Sequence, residues 1–268
     1  MKTVILISSC DHFKECWEPL AYSFEQYWPD CPFPTYIISN QIEDKNLKIK
    51  FLKIGKDNFF ASNLKAALVL LDCDFVIYFQ DDYFLSKKVD TKAIQDHVKY
   101  CWSNKVGFLK IHANDYLVRD HLRIDNSIYC KNPIDVRYSL NTSIAIWNKE
   151  TLESLCIEGY SGWDWERNIV PFVKQNKVAI KSEILHSTFM DNLGIKTIPG
   201  GAVAKGRWTK NGVLFLEENG FSELLKTREK EGKIISSLGE FYNKNPRSFL
   251  RFPIALLIRA ILKLNVNI

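Results

Sequence analysis

The sequence predicts an α/β fold in which a mostly parallel β-sheet is flanked by helices. Strand-like and helix-like segments alternate through the first ninety residues, and this alternation is typical of parallel sheets. The segment Phe75–Phe79 is a continuous apolar run, as expected of a strand that is covered on both faces. Polar residues directly follow the predicted strands, and ligands of open α/β sheets bind beyond the carboxyl ends of the strands.

The first elements follow from the spacing of apolar residues. Apolar, β-branched residues predict a strand at Val4–Ile7, and helical spacing predicts a helix over Trp17–Trp28. A second strand is expected at Tyr36–Ile38, and a second helix from Ser62, a suitable N-cap, through Leu71. The later expected elements are helices at Ala93–Trp102, Thr151–Leu155 and from Trp163 to Phe172, and strands at Val106–Ile111, Arg137–Trp147 and Val178–Leu185.

Composition excludes several classes of protein. The 268 residues are 46% hydrophobic and 25% charged, which excludes wholesale disorder and fibrous repeats. The net charge of +5 is too small to indicate a nucleic-acid partner. Seven dispersed cysteines without a C-x-x-C pair indicate reduced thiols in a cytoplasmic protein and argue against structural zinc. The short apolar run at Val4–Ile7 does not suffice for a signal peptide, and no stretch approaches the roughly 20 apolar residues of a membrane span.

An acidic pair follows the buried strand in the sequence Gln80-Asp81-Asp82. Two adjacent carboxylates are costly unless positive charge lies beside them, and a divalent cation that carries a diphosphate would supply it. The alternative is a solvated turn. A second acidic triplet, Asp72-Cys73-Asp74, precedes the strand and therefore belongs to the opposite edge of the sheet. We therefore assign the candidate metal site to Asp81 and Asp82.

Several short motifs occur in a characteristic order over roughly residues 1–215. They are Ser9-Cys10-Asp11, Trp28-Pro29-Asp30-Cys31-Pro32, Asp81-Asp82-Tyr83-Phe84, Trp147-Asn148-Lys149-Glu150, Trp163-Asp164-Trp165-Glu166 and Gly206-Arg207-Trp208. This series resembles glycosyltransferases of the A-type, whose Rossmann-like fold binds nucleotide sugars. More narrowly, it resembles bacterial transferases that build capsular or O-antigen polysaccharide.

The resemblance implies a donor site for a nucleotide sugar, with UDP as the expected nucleotide. Asp82, with Asp81 beside it, would ligate Mn²⁺ or Mg²⁺, and Gln80 would approach the ribose through its amide. The other donor-binding residues that it implies are Ser8, Ser9 and Asp11 at the base and ribose, and Asn63 and Lys65, with Ser62, near the nucleotide and phosphates. Arg207, in a glycine-rich stretch with Lys205, would hold the diphosphate leaving group.

The resemblance also implies an inverting, hexosyltransferase-type reaction with a carboxylate as the general base. Glu166 follows Trp163 at the spacing of the family motif, but Arg167 replaces its second acid, so Asp164 stays an alternative. On a helix these two acids point about 200° apart, so only one can face the donor. His186, after the predicted strand that ends at Leu185, is a candidate third metal ligand. Trp163, Trp165 and Trp208 are candidates for stacking on acceptor sugars.

The expected organisation is one catalytic domain, 1–245, with a tail at 246–268. The nucleotide-binding part is expected at about 1–112 and the acceptor part at about 113–245. The tail forms a basic amphipathic pattern that would contact the inner face of a membrane, where a lipid-linked or glycan acceptor lies, or would pack on the core. The alternative functions are a sugar-nucleotide pyrophosphorylase, a metal-dependent phosphohydrolase and a non-catalytic carbohydrate-binding scaffold.

Overall fold

The chain divides into two compact units in the computed structural model, which describes residues 1–111, 124, 127–131, 139–176, 185–188 and 194–232. Unit 1 comprises Met1–Asp81 and Leu85–Lys196. Unit 2 comprises Asp82–Phe84 and Thr197–Ile268. No helix within the described ranges is long and apolar enough to cross a membrane.

Unit 1 is built on a mixed sheet with eight strands among its described residues. The strands are β1 (Thr3–Ser8), β2 (Thr35–Ser39), β3 (Lys50–Lys53), β4 (Phe75–Gln80), β5 (Phe108–Lys110), β6 (Tyr129–Lys131), β7 (Ala145–Asn148) and β8 (Leu185–Thr188). Their order is β3-β2-β1-β4-β7-β5-β8-β6. Strands β6 and β7 run antiparallel to their neighbours, and the other neighbouring pairs are parallel.

Helices cover both faces of this sheet. They are α1 (Trp17–Tyr27), α2 (Phe59–Val69), α3 (Thr91–Ser103), α4 (Lys149–Ser154) and α5 (Gly162–Asn176). Val76 and Tyr78 of β4 belong to one buried apolar cluster with residues of α2, α4 and α5. Phe75 and Phe79 alternate with them, and their rings contact α3 and α1 on the other face. The predicted fold class, a mostly parallel sheet flanked by helices, is therefore confirmed.

Some predicted elements differ from the structure. The edge strand β3 was not predicted, and α2 begins at Phe59 rather than after Ser62, whose hydroxyl instead accepts the N–H of Gly159. The strand expected at Arg137–Trp147 is confined to β7 among the described residues. Residues 178–184 and the predicted tail, 246–268, lie outside the described residues.

Unit 2 contains a two-stranded hairpin of β9 (Val203–Ala204) and β10 (Arg207–Trp208) followed by α6 (Lys210–Glu218). The hairpin turns through Lys205 and Gly206, both at positive φ, which is the backbone that a two-residue hairpin loop requires. The segment Asp82–Phe84 joins this unit through backbone hydrogen bonds, in which Ala202 N–H donates to Asp82 O at 2.8 Å.

Candidate functional site

The carboxyl ends of β1 and β4 form a topological switch point within unit 1. From β1 the chain continues to β2 and β3 on one side, and β4 then pairs with β1 on the other side. Ser8 lies opposite Gln80 in the register of β1 and β4. Ligands of open α/β sheets bind in the crevice beyond such strand ends, so this edge is the candidate site.

Ser9 and Asp81 lie side by side where these two strands end. The Ser9 hydroxyl donates to Asp81 Oδ2 at 2.5 Å and accepts the indole N–H of Trp17 at 2.7 Å. Asp81 is 7% exposed, and its backbone N–H donates to Ser8 O at 3.2 Å. The sequence predicted that Ser9 contacts the donor and that Asp81 lies at the metal. In the structure, the hydrogen bond between the two side chains holds each of them in place.

Asp11 joins the loop after β1 to the loop after β2. Its carboxylate accepts the backbone N–H groups of Asn40 at 2.8 Å, Gln41 at 3.0 Å and Ile42 at 3.2 Å. In return, the side-chain oxygen of Asn40 accepts the N–H of Asp11 at 3.1 Å. The two loops that border the crevice are therefore held together by one carboxylate, a contact that the sequence did not indicate.

Asn63 shapes the start of α2. Its side chain accepts the N–H of Asn58 at 2.9 Å and donates to Asp57 Oδ1 at 2.8 Å, and Asp57 also accepts the N–H of Phe59 at 3.1 Å. This network holds Phe59 at a φ of +68°, with its side chain exposed. Asn63 is buried and Lys65 is exposed, so of the two predicted donor-binding residues only Lys65 faces solvent.

Acidic groups surround the thiol of Cys10 in this crevice. The pKa of Cys10 is raised to about 11, mainly by burial and also by the carboxylates of Asp57, Asp81 and Asp11, against the lowering effect of the backbone N–H of His12. The Cys10 thiol is therefore protonated near neutral pH. The crevice presents negative charge to a ligand, which favours a bound cation or the cationic part of a ligand.

Glu166 is fixed at the same edge of the sheet through Thr142. Glu166 Oε1 accepts the backbone N–H of Thr142 at 2.8 Å and its hydroxyl at 2.5 Å. Thr142 lies three residues before Ala145, which pairs with Tyr78 in antiparallel register, so it extends toward the carboxyl end of β4. Burial raises the pKa of Tyr78, and the charges of Glu166 and Asp81 add to that effect. Glu166 and Asp81 therefore act on the same buried hydroxyl.

Asp164 caps the start of α5 instead. Its Oδ2 accepts the Ser161 hydroxyl at 2.5 Å, and its N–H donates back to that oxygen at 3.1 Å. Arg167 forms an ion pair with its Oδ1 at 3.1 Å. The hydrogen bond from Ser161, followed by the charge of Arg167, lowers the pKa of Asp164. Both oxygens of Asp164 are thus occupied, one by Ser161, which directly precedes α5, and the other by Arg167 of the same helix.

Asp82 is held against a glycine in unit 2. Gly201, at a φ of +73°, lies so close that a Cβ on it would fall well inside 3.0 Å of Asp82 Oδ2. Burial raises the pKa of Asp82, which reaches about 7 although the backbone N–H of Val203 opposes this rise. In the part of the chain that the structure describes, no basic side chain contributes to this pKa. A carboxylate in this environment fits a divalent cation, because Mg²⁺ is bound through one or two carboxylates plus phosphate oxygens.

The remaining metal candidates do not converge. Among the described residues, no group of three or more His, Cys, Asp or Glu side chains is arranged to hold a metal ion. His186 lies inside β8, not after a strand, and the register places its backbone level with Ile77, three strands away. With about 4.8 Å between strands and about 3.3 Å per residue, it lies on the order of 19 Å from the backbone of Asp81. We therefore leave His186 out of the metal site.

The basic and aromatic candidates divide by exposure. Arg207 is 15% exposed and pairs with Glu229 at 3.1 Å. Trp165 and Trp208 are buried and donate their indole N–H groups to backbone carbonyls, so they belong to the packing of the protein. Trp163 is 60% exposed and stays available for an acceptor sugar.

The fold is similar to those of several solved transferases, whereas no family model and no curated protein matches the sequence. Residues 1–349 of TarS from S. aureus share 12% identity over 73% of this chain, with a TM-score of 0.46. The galactosyltransferase LgtC, solved with donor and acceptor sugar analogues, shares 12% identity over 86% of this chain and 98% of its own, with a TM-score of 0.41. A cytidylyltransferase from Leptospira borgpetersenii shares 14% identity over 66% of this chain and 72% of its own, with a TM-score of 0.40. The chain spans 59% of the TarS fragment, and at these values the likeness concerns the fold alone.

Proposed function

We propose that the protein is a metal-dependent, inverting glycosyltransferase that moves a hexosyl group from a UDP-sugar to a glycan or lipid-linked acceptor in surface polysaccharide synthesis. The observation that carries this proposal is the anchored carboxylate of Glu166 at the carboxyl end of β4. Inverting transfer needs one carboxylate that takes the proton of the attacking hydroxyl. Thr142 binds Oε1 of Glu166, so Oε2 can accept this proton, whereas both oxygens of Asp164 are occupied.

Each candidate residue receives a role in this reaction. Ser8, Ser9 and Gln80 would border the donor nucleotide at the switch point, and Asp82 would hold the cation. A divalent cation, when bound, supplies positive charge to the diphosphate leaving group. Glu166 takes the proton as the acceptor oxygen bonds to the anomeric carbon and the bond to the diphosphate breaks. Arg207 would exchange Glu229 for the departing diphosphate.

The composition of the loop after β1 supports this proposal over a pyrophosphorylase. A pyrophosphorylase carries a glycine-rich, basic loop after its first strand, where it binds a nucleoside triphosphate. Here that loop contains Ser9, Cys10 and Asp11, and Asp11 uses its carboxylate to bind the loop after β2. We therefore expect this protein to bind UDP-sugars, and we expect that a nucleoside triphosphate alone does not stabilise it.

Thermal shift with a panel of nucleotide sugars and triphosphates, each with and without Mn²⁺, tests the proposal. Ligand binding to the folded state raises the melting temperature with affinity and concentration. We expect stabilisation by a UDP-sugar that requires Mn²⁺ and is lost in Asp82→Asn. Asp74→Asn is the matched control, because Asp74 belongs to the other acidic triplet and binds the N–H of Lys2 at 2.6 Å. Stabilisation by triphosphates alone would favour the pyrophosphorylase instead.

The base assignment has its own test. Glu166→Gln keeps the shape and loses the basicity, so we expect transfer to fall about 10²–10⁴-fold with nearly unchanged donor affinity. Asp164→Asn should affect helix stability more than turnover. If Asp164→Asn abolishes transfer and Glu166→Gln does not, the two roles are reversed.

Membrane contact through 246–268 belongs to the same proposal, as does a cytoplasmic location at the inner face of the membrane. The support is the sequence pattern alone, in which Arg251 and Arg259 share one side of a helical wheel with other basic residues. In the full chain, replacing both arginines with glutamate should reduce flotation with anionic liposomes. Unchanged flotation would indicate that the segment packs on the protein.

A further inference from the structure

We propose that Thr142 is a positioning residue for Glu166, which holds one carboxylate oxygen so that the other takes the proton of the acceptor hydroxyl. The inference rests on the proposed function, in which Glu166 is the general base. Thr142 lies 24 residues before Glu166 and belongs to none of the motifs that carry the family resemblance.

Thr142 donates two hydrogen bonds to the same oxygen of Glu166. Its backbone N–H and its hydroxyl donate to Glu166 Oε1, at 2.8 Å and 2.5 Å. A carboxylate oxygen has two lone pairs, so these two donors saturate Oε1. Proton transfer is therefore left to Oε2, and the two contacts fix the direction in which this oxygen points.

The turn around Thr142 is itself preorganised. Asn141 accepts the N–H of Ser143 at 3.2 Å and also its hydroxyl, which closes a local turn. Ile144 then accepts the N–H of Ile111 at 3.2 Å, which ties the turn to the sheet. Thr142 is 8% exposed, so its donors do not exchange freely with water. The two hydrogen bonds from Thr142 thus attach the Glu166 carboxylate to a turn that is itself held by the sheet.

This arrangement matters because glutamate is flexible and proton transfer is geometrically demanding. A free glutamate side chain carries about 1.5–2 kcal/mol of rotamer entropy, which an anchored one has already lost. A displacement of about 1 Å in a catalytic group can lower the rate about 10²-fold. Loss of one anchor should therefore lower turnover without changing how the donor binds.

Thr142→Val removes the hydroxyl and keeps the shape and the backbone N–H, whereas Thr142→Ser keeps the hydroxyl. The matched control is Thr151→Val, because the Thr151 hydroxyl binds Asn148 at the amino end of α4, away from the Glu166 contact. The assay is UDP release from whichever of UDP-glucose, UDP-galactose and UDP-N-acetylglucosamine the protein binds, with water as acceptor. We expect kcat to fall about 10–100-fold in Thr142→Val, with the donor KM within about twofold, and to recover in Thr142→Ser.

Equal kcat values for Thr142→Val and Thr151→Val would overturn the inference, as would a Thr142→Ser variant as slow as Thr142→Val. If Thr142→Val does not fold, Thr142→Ala takes its place. A double-mutant cycle of Thr142→Val with Glu166→Ala, followed by urea unfolding, adds a measurement that needs no activity. Additive effects in that cycle would contradict the contact. If Glu166→Gln has the kcat of the parent protein, Glu166 is not the general base. If Glu166→Gln is slow while Thr142→Val has the parent kcat, only the positioning role of Thr142 is wrong.

Discussion

Gly201→Ala tests the close approach that fixes Asp82. The added methyl would fall well inside 3.0 Å of Asp82 Oδ2 and 3.2 Å from its Cγ, so the carboxylate or the backbone must move. Gly220→Ala is the matched control in the same unit, because Gly220 has a φ of +84° and nothing lies within 4 Å of its Cβ position. The two variants share the backbone strain, and only Gly201→Ala adds the clash.

The expected difference follows from this comparison. Positive φ costs an L-residue about 1–2 kcal/mol, and the reduced entropy of the unfolded chain offsets part of this cost in both variants alike. Overpacking against Asp82 adds about 1–3 kcal/mol to Gly201→Ala alone. At about 2–4 °C per kcal/mol for a chain of this size, Gly201→Ala should melt about 2–12 °C below Gly220→Ala.

Calorimetry on both variants measures this difference, and titration with UDP in the presence of Mn²⁺ adds a second measurement. Gly201→Ala should also weaken Mn²⁺-dependent UDP binding, because the carboxylate that would hold the cation has moved, whereas Gly220→Ala should bind as the parent does. Equal melting temperatures would show that the Asp82 carboxylate yields without cost. Gly201 would then not be what fixes the position of this carboxylate.

Two further predictions concern the carboxyl end of β1. Ser9→Ala should lower the free energy of unfolding by about 1–3 kcal/mol in urea, because it removes one hydrogen bond to the buried Asp81 and one from the Trp17 indole. Ser154→Ala, at an exposed hydroxyl, should change it little. The pKa of Cys10, raised to about 11, leaves about a hundredth of the thiolate of an ordinary thiol at pH 8, so iodoacetamide should label folded Cys10 slowly and progressively faster as the pH rises toward 11. Labelling that is as fast as in the unfolded chain at pH 8 would contradict the burial of this thiol.

The fold was predictable because most of its strands and helices show a recognisable local pattern of apolar residues. Buried strands such as β1 and β4 are continuous apolar runs, and α1 shows helical spacing of apolar residues. The edge strand β3, Lys50–Lys53, was missed because its ends are charged and exposed, so it shows no apolar run. The start of α2 was misplaced because Asn63 and Asp57 hold Phe59 in a backbone conformation that local propensity disfavours.

The candidate site was predictable only in part, because its decisive contacts join distant segments. The position of Asp81 and Asp82 after a buried strand was enough to locate them. Thr142 and Gly201 act through contacts with residues 24 and 119 positions away, and no local pattern indicates such contacts. Trp163 is exposed and Trp165 is buried, although both belong to one sequence motif, so the motif alone did not indicate which side chain faces solvent.

The charge of the crevice offers the strongest physical reason to favour a sugar transferase over a nucleotidyltransferase with a similar fold. Asp11, Asp57 and Asp81 all act on the Cys10 thiol, so three carboxylates lie close to the place where the first strand ends. A triphosphate there would meet three like charges, and among the described residues no basic side chain contributes to the pKa of Cys10. A diphosphate sugar carries less negative charge than a triphosphate, so these carboxylates repel it less. The proposed reaction also requires an acceptor for one proton, and we propose Glu166, which Thr142 anchors through a single oxygen, for that role.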